Sequence, residues 1–142
     1  MGAYEVETIS VDGRTTALGS AGTFTLVVDR PVDGGGGGQG FNGGQLLNLA
    51  VAGCISNDLF REAARVGIKL RRVRVVARSD YVGEPAVSTP IQYDVELHGD
   101  APEDALRQLL EHVDTIAEIP NSLRHGTAVH LASVRITSST FE

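Results

Sequence analysis

Hydrophobic positions along the chain change between strict alternation and a spacing of about 3.6 residues, and these changes mark its elements. Tyr4 to Val11 is rich in β-formers, Asp12-Gly13 is a turn signal, and Arg14 to Leu18 can pair back on the first segment. Thr23 to Val28 alternates, with Phe24, Leu26 and Val28 on one face, and Asp29-Arg30-Pro31 ends it. Helical spacing begins at Gly43 or Gly44 and runs to Val66 through Leu46, Leu47, Leu49, Ala50, Val51, Ile55, Leu59 and Ala63. Asn42 is its expected N-cap and Gly67 its stop. Leu46 to Ile55 is apolar nearly all round, which predicts a central, buried helix; Asn57 to Arg65 is amphipathic.

Alternation then returns. Ile68 to Arg78 reads as a strand with Val73, Val75 and Ala77 inward and Arg72, Arg74 and Arg78 on a solvated face. Tyr81 to Thr89 has the length of a hairpin connection, and Ile91, Tyr93, Val95 and Leu97 predict a half-buried antiparallel strand. Asp100 with Glu103 reads as a capping box ahead of a second helix, with Pro102 in its first turn. Its apolar stripe runs from Ala105 to Ala117, Pro120 is expected to break it, and Asn121 to His125 to continue at a new angle. Gly126 to Thr137 is expected to close the chain as a strand. Strands, helix, two strands, helix and strand predict an α+β fold with a mainly antiparallel sheet.

Composition narrows the function. The 142 residues make one domain, 1–142, large enough to fold without metal or disulfide. A net charge of −6 argues against nucleic acid or an anionic membrane as partner. Neither a signal peptide nor a membrane-spanning run is present, and Val6 stands where a myristoylation motif after Met-Gly needs Ser or Thr, so the expected location is cytoplasmic. Residues 34–38, 40, 43 and 44 are all glycine. With no Gly-Lys-Ser/Thr among them they read as a flexible surface loop rather than a phosphate cradle.

Candidate chemistry is sparse. His98, His112, His125 and His130 are scattered without metal-ligand spacing and read as surface or packing residues, and no cofactor is implied. Cys54 is the only cysteine, which excludes an internal disulfide, a CxxC pair and a multi-cysteine zinc site. It lies where an apolar stripe meets a polar one, with Ala50, Val51, Asn57 and Asp58 as helical neighbours. Spacing alone favours a small packed hydrophobe at Cys54.

The surrounding residues add a resemblance. Asn42-Gly43-Gly44-Gln45-Leu46-Leu47-Asn48-Leu49-Ala50-Val51-Ala52-Gly53-Cys54 resembles the central-helix signature of the OsmC/Ohr family. Asp58 to Leu70, the Val73 to Tyr81 strand and Ile116 to Leu123 extend it over nearly the whole chain. The resemblance implies an intertwined homodimer with the two central helices at its heart, Cys54 near a large apolar subunit boundary, and a cysteine-based peroxidase acting on organic hydroperoxides. It makes Cys54 the attacking thiolate and Arg14, from the N-terminal strands, the guanidinium that favours it.

Two positions depart from the family pattern. Its glutamate near the helix start falls on Gly44, and its resolving cysteine falls on Ile119 ahead of Pro120. A one-cysteine peroxidase of this kind needs an external thiol reductant to restore Cys54. The alternative is a non-catalytic member of the family, either a dimer that binds a small apolar ligand beside Cys54 or a structural one.

Overall fold

The computed structural model describes residues 4–140. The Met-Gly dipeptide of the myristoylation test lies outside them.

Three antiparallel strands open the chain: β1 (Glu7–Ser10), β2 (Ala17–Ala21) and β3 (Phe24–Val28), in the order β1-β2-β3. The glycine-rich segment that follows is pinned rather than flexible. Asp29, buried at its entry, accepts hydrogen bonds from the Thr15 and Thr16 hydroxyls at 2.9 and 2.8 Å and from the Gly37 and Gln39 amides. Burial pushes this carboxyl up, but those donors outweigh it and hold it at about 2. The glycines are needed because the loop packs on its own strand: a Cβ on Gly36 would stand 2.1 Å from the Arg30 carbonyl oxygen, and one on Gly40 2.2 Å from that of Val27.

Helix α1 (Gly43–Arg65) runs 23 residues. Asn42 caps it as expected: its side chain accepts from the Gln45 amide while the Gln45 side chain accepts from the Asn42 amide, both at 2.9 Å. Gly67, at φ +72°, takes the left-handed turn beyond the last coil. Strands β4 (Leu70–Arg78) and β7 (Gln92–Gly99) pair antiparallel, joined through the small hairpin β5 (Tyr81–Val82) and β6 (Val87–Ser88). Their register sets Val73 opposite Leu97 and Val75 opposite Val95 on the inner face. On the outer face Arg74 meets Glu96 and Arg78 meets Asp94, so the arginines form a solvated ion-pair ladder.

The core lies between that inner face, the second half of α1, and α2 (Glu103–Ile116). Ile55, Leu59, Val113 and Ala117 are fully enclosed there, each large side chain contributing about 1.5–3 kcal/mol. Within one chain the burial of α1 is uneven. Leu46 and Leu47 are only half-buried and Leu49 is 50% exposed, whereas the amphipathic half is the enclosed one. A 23-residue helix is about 35 Å long, and one small sheet with a 14-residue α2 cannot cover all of it.

Three further expectations change. Asp100 does not cap α2; its carboxylate accepts two hydrogen bonds from Arg71 Nε at 3.1 and 3.0 Å, and the N-cap position is Pro102, without a side-chain cap. The break after α2 falls at Ala117, whose ψ of 124° is extended, and Pro120 sits inside α3 (Glu118–Arg124). In the first turn proline forfeits no intrahelical bond. Finally, Gly126 to Thr137 forms no strand within the chain, and Val129, Leu131 and Ile136 are more than four-fifths exposed.

Candidate functional site

Cys54 stands in the fourth turn of α1, partly exposed, on one face of the helix with Leu47, Val51 and Asp58. Its Sγ donates to Asp58 Oδ2 at 3.9 Å. The other carboxylate oxygen of Asp58 pairs with Arg61 Nη1 at 3.2 Å, and Arg61 Nε reaches on to Glu62 Oε2 at 3.0 Å. Glu62 also holds Arg65 Nη1 at 2.9 Å and His112 Nε2 at 3.0 Å, which ties α1 to α2. Asp58 and Glu62 are 7% and 5% exposed, so both charges depend on these partners. A continuous polar line therefore leads from the only thiol to a solvent-facing imidazole.

Hydrogen bonds from His112 and then Arg61 hold the Glu62 carboxyl below its ordinary value of 4.5, against the opposing push of burial. The Arg61 guanidinium is raised by Glu62 first and Asp58 next. A carboxyl held low in the folded chain contributes stability that is complete above its unfolded value and is lost as pH falls through its folded one. Glu62→Gln is therefore expected to flatten the fall of the thermal midpoint on acidification below pH 4.5. An unchanged slope in calorimetry would show that the carboxylate contributes nothing to acid sensitivity.

One turn before Cys54 on the same helix face, Leu47 and Val51 border an apolar hollow of about 400 Å³ with Pro90, Ile91, Pro120 and Leu123. Tyr93 and Arg124 close its polar end. The Tyr93 hydroxyl donates to Asp114, which also accepts from Arg124 Nη2 at 2.8 Å. Burial, and then the bond to Asp114, push the tyrosine up to about 12, so it is a neutral donor at ordinary pH. Among the described residues no three or more His, Cys, Asp or Glu side chains are grouped to hold a metal ion, and no helix is long and apolar enough to cross a membrane.

A family model for OsmC-like proteins matches residues 35–132 of the chain. The chain belongs to the OsmC-like family. No curated protein matches the OsmC-like chain in sequence. Among solved structures, an OsmC-like protein from Mycoplasma pneumoniae superposes with a TM-score of 0.76 at 16% identity, covering 89% of each chain. An organic hydroperoxide resistance protein from Elizabethkingia anophelis gives 0.62 at 17% identity, covering 89% of this chain and 91% of that one. The organic hydroperoxide resistance protein OsmC from Legionella pneumophila gives 0.60 at 19%, over 87% and 90%. At these identities the likeness shows the fold.

Within that fold the expected residues are not all brought together. Arg14 lies in the β1–β2 turn and borders a hollow with Gly35, Gly36 and Gly37; no hydrogen bond or ion pair joins it to Cys54 within the chain. Ile119 is 38% exposed at the start of α3. At Gly44 the space of a side chain is taken: a Cβ there would stand 2.9 Å from Tyr81 Cε2 and 3.3 Å from its hydroxyl. Restoring a glutamate at that position requires the Tyr81 ring to swing away. Asp58 was visible in the sequence as the residue one turn beyond Cys54. The Glu62–His112 pair, 50 residues apart, had no local signal.

Proposed function

We propose that this OsmC-like chain is a thiol-dependent redox protein that reduces small organic hydroperoxides at Cys54, working as a homodimer with an external thiol. The partly exposed Cys54, one helical turn beyond Val51 at the edge of an apolar hollow and at the head of a charged line, carries this reading, because the hollow offers nearby room for an organic group. The thiolate attacks one peroxide oxygen, the O–O bond breaks, and the alkoxide leaves as the alcohol with a proton. Cys54 becomes the sulfenic acid. One external thiol condenses with it and releases water, and a second frees Cys54 from the mixed disulfide.

Surface and length support the homodimer. Leu49, Phe24, Leu131 and Ile136 leave apolar area in water that a lone chain does not cover. Gly44 and Cys54 are ten residues apart on one straight helix, about 15 Å along its axis. A group at the start of α1 can therefore serve only the Cys54 of a second copy.

Excess cumene hydroperoxide followed by intact mass spectrometry tests the proposal. A fast gain of one oxygen atom per chain, reversed by a small thiol, is expected. A silent thiol would overturn it in favour of a dimer that binds an apolar ligand in the hollow above, a reading favoured by the tyrosine that fills the space at Gly44.

A further inference from the structure

The geometry points to Asp58 as the group that restrains Cys54, its carboxylate accepting from the sulfur and slowing its attack on an electrophile. The inference rests on Cys54 being the reacting group. The carboxylate divides its two oxygens: Oδ1 faces Arg61 at 3.2 Å and Oδ2 accepts from the thiol at 3.9 Å. A hydrogen bond donated by the thiol stabilises the protonated form, and a negative charge at that distance opposes the thiolate. Arg61 offsets this only in part, because the same guanidinium also serves Glu62 at 3.0 Å and feels Glu118 at the start of α3. Glu62 has two further partners of its own, the Arg65 guanidinium and the His112 imidazole. Asp58 is 7% exposed, so water does little to screen it. No hydrogen bond or ion pair brings Arg14 to this group within the chain, and the charged side chain in contact with the sulfur is negative. Full reactivity then requires a cation from outside the chain or loss of the Asp58 charge.

The test measures alkylation of the full-length protein by iodoacetamide across a pH series, a reaction that reads the thiolate whether or not peroxide is a substrate. Asp58→Asn keeps the shape and removes the charge. It is expected to raise the rate at neutral pH about fivefold. Arg61→Gln leaves Asp58 less compensated and is expected to slow the reaction, while Asp58→Glu stays near the wild-type rate. These opposite signs separate charge from packing, because a loosened helix would speed alkylation in both variants. An Asp58→Asn rate equal to or below wild type, or faster reaction in both Asp58→Asn and Arg61→Gln, would overturn the assignment. The same proteins are then treated with cumene hydroperoxide. If alkylation follows the expected order and no protein gains oxygen, the role of Asp58 stands and the hydroperoxide reading falls.

Discussion

Replacing Cys54 with serine is expected to abolish all hydroperoxide consumption and leave the fold intact. The chain holds no second cysteine that could take over the nucleophilic role, so no residual thiol turnover should remain. The structural cost is small for a stated reason. An unpartnered hydroxyl in this setting costs about 1–3 kcal/mol. Asp58 Oδ2, 3.9 Å from the sulfur, lies beyond O–H···O range, but the position is partly exposed and water can partner a hydroxyl there. The thermal midpoint should therefore move by a few degrees at most, about what 1 kcal/mol does to a domain of this length. Peroxide assays and calorimetry on the same sample check both halves. A collapse of the midpoint would make Cys54 a packing residue first, and consumption that survives the change would place the chemistry elsewhere.

Putting lysine at two positions of the last segment is expected to take the proposed dimer apart. Leu131 and Ile136 are 83% and 85% exposed in the single chain, and Gly126 to Thr137 has strand alternation without a strand to pair with. If the chain worked alone, Leu131→Lys with Ile136→Lys would place two ammonium groups in water and change almost nothing. If a second copy covers the segment, each ammonium is taken into an apolar interface, at a cost of several kcal/mol per ion. Light scattering should then fall from twice the 15.0 kDa chain mass to that mass itself, with a lower thermal midpoint. The same mass for variant and wild type would remove the homodimer from the proposal.

What was legible in the sequence depended on interactions within a turn or a strand. The span of α1 follows from its helical period, and the reciprocal bonds of Asn42 and Gln45 connect residues three apart. The inward valines of β4 and the outward arginines follow from alternation alone, and Asp58 lies one turn from Cys54 by helix geometry. The order of these elements sufficed for the α+β fold and the family. Tertiary packing decided the rest. Which half of α1 is enclosed depends on where the sheet and α2 lie, because an apolar side chain is buried only if something reaches it. Glycine content alone reads as flexibility, yet the loop is held by a buried Asp29 whose donors come from the β1–β2 turn and from the loop itself. The pairing of Glu62 with His112 and the Tyr81 ring over Gly44 join residues far apart in sequence, with no periodic trace. The final strand shows the same division: alternation made Gly126 to Thr137 able to pair, but the strand's backbone bonds must come from a neighbour, and the chain supplies none.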